Sequence, residues 1–216
     1  SEALHKLIDQ LKKSDKKSVS GNGYFSVGTN ATAIHQNQKA SDFNQGFSVS
    51  GRTTKTTYFT ALNSTEIKGI SQIAPPNSSL HYEEDPFSRL NYLAKIGYKV
   101  TNKLTLDFFG NYDQIKNDYD GGYDNTGTSD TNLNKTSSKQ FRFGFSPKFK
   151  YKKGEFILNS SFNKLVRSYD ELDTYSNSVG FAEYESRSVN VDGFNKYEIN
   201  PSFFLVSGVQ YQFHDA

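Results

Sequence analysis

The sequence has 216 residues, a formal charge of +2 and no cysteine. The absence of cysteine excludes a disulfide framework, a thiolate metal site and a cysteine nucleophile. A charge so close to zero gives no electrostatic signature of nucleic-acid binding, so we expect no nucleic-acid partner.

The first seventeen residues differ from the rest of the chain. Leu4, Leu7, Ile8 and Leu11 follow helical spacing, and a basic run from Lys12 to Lys17 comes next. We interpret residues 1–17 as a polar, partly helical lead-in, and residues 18–216 as a domain of β-strands with long loops. No apolar run approaches the roughly 20 residues that a membrane-spanning helix needs.

From Ser18 onward apolar and polar residues alternate with a period of two, which is typical of strands with two different faces. The pattern predicts an all-β, antiparallel fold of about nine strands. They are Val19–Val27, Phe43–Gly51, Thr57–Asn63, Leu90–Val100, Leu104–Tyr112, Phe141–Tyr151, Phe156–Val166, Arg187–Tyr197 and Phe203–Phe213.

The connections between these strands alternate between short and long. Short, turn-like joints fall at residues 52–55, 101–103, 152–155 and 199–201. Long polar stretches fall at residues 30–42, 64–86, 114–138 and 168–185. All the long stretches therefore lie at one end of the strands, as in an outer-membrane β-barrel with short periplasmic turns and long extracellular loops.

A soluble β-sandwich also alternates apolar and polar residues, and it remains an alternative. Several predicted strands reach about ten residues, which is the length that crosses a bilayer, whereas strands in globular proteins average about five or six. Bacterial single-chain barrels have an even number of strands, and nine strands would leave two unpaired edges in hydrocarbon. We therefore expect part of a larger transmembrane barrel, with a small closed barrel of structural or adhesive role as a second alternative.

Charged residues on the polar side of the predicted strands would face the interior of such a barrel. They are Arg89, Lys95, Lys99, Asp107, Arg142 and Lys148. A wet barrel interior accounts for these charges without a substrate. The four histidines lie in unrelated segments, and no nucleophile-elbow, Walker or dinucleotide motif occurs, so we expect no enzyme.

One long connection is rich in aspartate. Asp118, Asp120, Asp124 and Asp130 are interleaved with Gly121 and other small residues. Hard oxygen ligands on a pliable loop suit calcium, although the spacing is not that of an EF-hand. Tyr119 and Tyr123 are candidates for stacking on a planar ligand, or they stiffen the loop. A solvated loop without any bound ion is the simpler interpretation.

Residues 99–107, 109–124 and 145–156 are the most distinctive stretches of the sequence. Residues 99–107 and 145–156 resemble periplasmic hairpins of TonB-dependent outer-membrane receptors of Bacteroidetes, and residues 109–124 resemble the third extracellular loop of the cobalamin receptors in that family. The resemblance covers residues 18–214. It implies a 22-stranded barrel with an N-terminal plug, which imports a bulky nutrient such as cobalamin (vitamin B12) or a siderophore.

The resemblance also implies partners and ligands. It implies the outer membrane of a Gram-negative bacterium, outer-membrane lipid, a small-molecule substrate, a surface lipoprotein, and the TonB complex acting through a plug that this sequence does not contain. In the cobalamin receptors loop carboxylates bind calcium, which corresponds here to Asp118, Asp120 and Asp124, with Asp130 as a further candidate. No other cofactor is expected.

Overall fold

The computed structural model describes residues 18–29, 41–71, 83–121, 123–124, 127–128, 133–173 and 176–215. The lead-in at residues 1–17 lies outside them. The described residues form the strands β1 (Ser18–Gly28), β2 (Asp42–Arg52), β3 (Thr56–Ile67), β4 (Phe87–Lys99), β5 (Leu104–Asp118), β6 (Tyr123–Asp124), β7 (Gly127–Thr128), β8 (Lys135–Tyr151), β9 (Gly154–Asp173), β10 (Ser178–Asn200) and β11 (Phe203–Asp215).

Nine of these strands form one antiparallel sheet in the order β1-β2-β3-β4-β5-β8-β9-β10-β11, and β6 pairs only with β7. Every strand of the sheet pairs with its neighbour in sequence, so the sheet is a simple up-and-down meander. This confirms the predicted all-β, antiparallel fold and its nine strands. The lengths range from 11 residues in β1 to 23 in β10.

Two of the short connections are stabilised by a threonine side chain within the turn. The Thr53 hydroxyl oxygen accepts a hydrogen bond from the Thr56 amide at 3.0 Å. The Thr101 hydroxyl oxygen accepts one from the Leu104 amide, also at 3.0 Å. Hydroxyl groups that bond backbone amides nearby in the chain stabilise tight turns. The sequence therefore closes these two hairpins in the same way.

The prediction of a long loop at residues 168–185 is wrong. Strands β9 and β10 continue as a paired hairpin up to Asp173 and Ser178. Large apolar side chains of this extension fall on both faces, with Phe181 on one and Tyr184 on the other, so no single apolar face marks these strands while the backbone pairing continues. The hairpin turns near Asn177, whose φ of 50° is the left-handed conformation that asparagine tolerates.

The sheet has almost no buried apolar interior. Among the described residues, Phe59 is the one buried hydrophobic side chain, at 8% exposure. Strands β1 and β11 are the two edges of the described sheet and do not pair with each other. No helix in the described part of the chain is long and apolar enough to cross a membrane.

Candidate functional site: the two faces and the long-connection end

The register assigns each side chain of the sheet to one of two faces. Directly opposed residues of antiparallel strands lie on the same face, and successive residues alternate. Tyr92 lies opposite Tyr112, and Tyr112 lies opposite Phe141. We call the face that carries these residues the apolar face and the opposite one the polar face.

The apolar face carries a continuous layer of exposed aromatic and aliphatic side chains. Phe108 stacks on Phe145 with ring centroids 4.7 Å apart, and Phe143 lies 5.4 Å from Phe162. Phe108 and Phe143 are still 46% and 49% exposed, because nothing in the described part of the chain covers them. A soluble protein rarely exposes a contiguous apolar surface of this extent.

Charged residues of the apolar face occur only near the long connections. Within the described strands this face has no charged residue between Leu104 and Tyr112 of β5, or between Phe141 and Tyr151 of β8. Lys139, Lys164 and Arg187 follow directly beyond this uncharged band. Lys164 Nζ lies 2.8 Å from Glu185 Oε2, and Arg187 also pairs with Glu185.

The predicted interior charges share the opposite face. Register places Arg89, Lys95, Lys99, Asp107, Arg142 and Lys148 on the polar face. Neighbouring polar side chains are joined across strands: Ser146 Oγ donates to Asn159 Oδ1 at 2.7 Å, and Asn159 Nδ2 donates to Asp192 Oδ2 at 2.8 Å. This face therefore supports its own hydrogen-bond network.

Arg89 and Asp113 form the best-defined ion pair of the polar face. Arg89 Nε donates to Asp113 Oδ1 at 2.9 Å, and Nη2 donates to Oδ2 at 2.8 Å. This two-point geometry is the strongest arrangement for a guanidinium and a carboxylate. The Asp113 side chain is only 15% exposed, so Arg89 satisfies a carboxylate that is mostly removed from water.

Aromatic rings on the polar face cover glycines of the next strand. Phe109 lies opposite Gly144 and Tyr24 lies opposite Gly46. A Cβ atom added at Gly144 or at Gly46 would collide with the ring across from it. The Tyr24 hydroxyl continues across Gly46 and donates to Asn63 Oδ1 at 3.3 Å. Glycine is therefore required where a ring crosses the neighbouring strand, as in the aromatic rescue of strand glycines.

Asn134 links two of the long connections, at the end of the sheet opposite the short turns. It is fully buried, its backbone oxygen accepts from the Tyr119 amide at 3.1 Å, and its Oδ1 accepts from the Leu172 amide at 2.7 Å. Asn134 thereby joins the residue after β5 to the extended part of β9. The amide is satisfied on its oxygen side only, because its Nδ2 is buried without a hydrogen-bond partner among the described residues.

Two of the four aspartates of the predicted metal site, Asp118 and Asp120, contact other groups. Asp118 Oδ2 lies 3.3 Å from Lys135 Nζ, and Asp120 Oδ2 accepts from Ser71 Oγ at 3.0 Å. Asp124 is described only as backbone of β6, and Asp130 lies outside the described residues. Within the described part of the chain, no group of three or more acidic or histidine side chains could hold a metal ion.

The two tyrosines that were predicted to bind a ligand lie in different segments of the structure. Tyr119 follows β5 directly, and burial raises the pKa of its phenol, with the negative charge of Glu171 as the next cause. Tyr119 is half-buried, and its backbone amide donates to the Asn134 oxygen. Tyr123 belongs to β6, and only its backbone is described.

Sequence reasoning missed Asn134 and the Arg89–Asp113 pair. Asn134 lies between the aspartate-rich segment and β8, where composition predicts only a solvated loop. Arg89 and Asp113 could have been matched, because both are charged positions on the same face of neighbouring strands. The register that makes them neighbours becomes known only when the hairpin turn is fixed.

No protein-family model and no curated protein matches the sequence. Among solved structures, two mutants of the ferric enterobactin receptor from Pseudomonas aeruginosa superpose with TM-scores of 0.65 at 14% identity, and cover 93% and 91% of this chain. A mutant of the same receptor in complex with enterobactin gives a TM-score of 0.63 at 15% identity and covers 93%.

The likeness concerns the fold. This chain spans 31% of the length of the first two receptor structures and 32% of the third. Together with the unclosed meander of nine strands, it identifies the described sheet as part of an antiparallel β-barrel.

Proposed function

We propose that this chain is part of the barrel of an outer-membrane transporter that imports a bulky metal complex. The observation that carries the proposal is the separation of the sheet into an uncharged, exposed apolar face and a hydrogen-bonded polar face. A membrane barrel needs this arrangement, because its outer side contacts hydrocarbon while its interior contacts water. The likeness in fold to a ferric enterobactin receptor, of which this chain spans 31% of the length, supports the same function.

The alternatives explain fewer observations. A soluble all-β binding module needs a second layer over the apolar face, but within the described residues only Phe59 is a buried hydrophobic side chain. A small closed barrel needs its first and last strands to pair, and β1 and β11 are not paired in the described sheet.

For the cargo we propose a ferric siderophore as the first class and cobalamin as the second. The structural neighbours are receptors for ferric enterobactin, and one contains enterobactin. Cobalamin rests on the sequence resemblance of residues 109–124 alone. Binding of ferric enterobactin and of cyanocobalamin to the full-length protein in detergent, measured by calorimetry side by side, tests this order.

The proposed partners follow from the same function. They are outer-membrane lipid at the apolar face, the TonB complex acting through a plug, and a surface lipoprotein, in the outer membrane of a Gram-negative bacterium. The Bacteroidetes origin and the count of 22 strands also remain proposals from the resemblance. We propose no enzymatic activity.

Membrane insertion provides the direct test of this function. When the protein is produced in a Gram-negative host, we expect it in the outer-membrane fraction, resistant to extraction by urea, because the apolar face lies in hydrocarbon. A periplasmic β-sandwich of the same host serves as the control and should be fully extracted. Recovery of this protein in the soluble fraction, with its sheet intact, would contradict the proposal.

Calcium binding by the aspartate-rich segment remains a separate proposal. The described carboxylates alone do not form a site, so it depends on the side chains of Asp124 and Asp130. If calcium orders this segment, calcium should raise the midpoint of thermal unfolding above the value in chelator, whereas magnesium at the same concentration should not. Equal midpoints in all three solutions would exclude the site.

A further inference from the structure

A cavity of about 250 Å³ lies on the polar face at the short-connection end of the sheet. Strands β2 to β5 and β8 contribute to its lining. Its charged residues are Arg52, Lys55, Lys99, Lys148, Lys150 and Asp107. Five positive charges therefore face a single negative one.

Four of these cations form no ion pair with another described residue. Lys55, Lys99, Lys148 and Lys150 form no ion pair with any residue in the described ranges. Arg52 and Asp107 already interact with other groups. Several ammonium groups around one cavity repel each other, so an anion placed among them lowers the free energy of the whole arrangement.

A second cavity of about 510 Å³ continues from the first along the same end of the sheet. The two share Lys150, and the second adds Lys153 and Lys196 together with Glu155 and Glu198. Lys196 Nζ also lies 4.9 Å from the centroid of the Phe204 ring. This second cavity is thus mixed in charge and partly aromatic, unlike the first.

Taken together, the two cavities form an elongated surface. Between Lys55, just before β3, and Lys196 in β10 lie five strand spacings of about 4.8 Å, or roughly 24 Å along the sheet. An extended polypeptide rises about 3.3 Å per residue, so roughly seven residues cover this distance. A small inorganic anion would occupy only one end of it.

We propose that this surface binds an extended acidic polypeptide segment, with its carboxylates on the lysines of the first cavity. The shape favours an extended chain, and the four lysines without an ion pair in the described ranges favour Asp and Glu side chains over neutral ones. The Phe204 end accommodates an apolar or aromatic residue at one end of the segment. The site lies on the polar face, so it exists whether or not the apolar face lies in a membrane.

A labelled peptide of seven glutamates is the probe for this site. The full-length protein in detergent micelles should bind it in a fluorescence anisotropy titration, and a peptide of seven glutamines should bind at least about tenfold more weakly. With the glutamate peptide bound, acetylation followed by mass spectrometry should show Lys99, Lys148 and Lys150 protected, and Lys116 and Lys139 still reactive.

Matched variants separate this site from general attraction between opposite charges. A triple variant of the cavity lysines, Lys99→Gln, Lys148→Gln and Lys150→Gln, should bind the peptide about tenfold or more weakly. A control triple variant on the apolar face, Lys116→Gln, Lys135→Gln and Lys139→Gln, should bind it unchanged. Equal losses in the two triple variants, or protection of the apolar-face lysines in the unmodified chain, would overturn the proposal. Displacement of the peptide by inorganic phosphate at equal ionic strength would overturn it too, because the ligand would then be a small anion. The urea-extraction test of membrane insertion does not depend on peptide binding. A failure of the proposed function can therefore be distinguished from a failure of this site.

Discussion

Substituting Phe108→Arg should destabilise the protein in a bilayer by about 2–4 kcal/mol, because the arginine would enter hydrocarbon near the middle of the apolar face. Phe108 is half-exposed and stacks on Phe145, within the uncharged band of β5 and β8. Urea unfolding of the protein in lipid vesicles, followed by circular dichroism, measures the change, since the chain has no Trp.

The control for this substitution lies on the same strand and the same face. Gln114 lies opposite Leu90 and Lys139, at the long-connection side of the band where charges begin. Gln114→Arg should therefore cost no more than about 1 kcal/mol. Equal effects of the two substitutions, or a Phe108→Arg protein that becomes soluble without loss of its sheet, would show that the apolar face does not lie in a membrane.

The strands could be predicted because each one carries apolar side chains on one face and polar side chains on the other, so the two kinds of residue alternate along the sequence. In β8 the alternation of Phe141, Phe143 and Phe145 with Arg142 and Gly144 is visible without coordinates, and the structure places the two sets on opposite faces. The threonines at positions 53 and 101 likewise mark two of the tight turns.

The extended hairpin of β9 and β10 could not be found in this way. Backbone pairing continues to Asp173 and Ser178, but apolar side chains there, such as Phe181 and Tyr184, fall on opposite faces, so hydrophobic periodicity gives only a weak signal. The remaining evidence is tertiary, such as the edge-to-face contact of Tyr169 with Tyr184 at 6.0 Å between ring centroids.

The metal site of the aspartate-rich segment remains a prediction. The sequence indicates its ligand chemistry, whereas the contacts of Asp118 with Lys135 and of Asp120 with Ser71 become known only from the structure. Asn134, whose side chain bridges two connections, carries no motif at all. Contacts between connections depend on how neighbouring strands are registered, which a single sequence does not specify.

Substituting Gly144→Ala should destabilise the sheet by about 1–3 kcal/mol, the usual cost of forcing an extra methyl group into a packed site. A Cβ atom at this position would collide with the Phe109 ring and would lie 2.7 Å from the Ser160 carbonyl oxygen. The ring can rotate, but the carbonyl belongs to the backbone of β9, so the pairing of β8 with β9 must shift. Urea unfolding followed by circular dichroism measures the loss.

Gly110 provides the matched control, because it lies on the neighbouring strand but on the apolar face. A Cβ atom there meets nothing within 4 Å. Gly110→Ala should leave stability unchanged or raise it by about 0.4–1 kcal/mol, since alanine has less conformational freedom to lose on folding.

A double variant tests the role of the ring. Adding Gly144→Ala to a Phe109→Ala protein should cost less stability than adding it to the unmodified protein, because the ring is then gone and only the carbonyl remains. If Gly144→Ala is as stable as Gly110→Ala, the ring does not lie across β8, and the packing of the polar face described here is wrong.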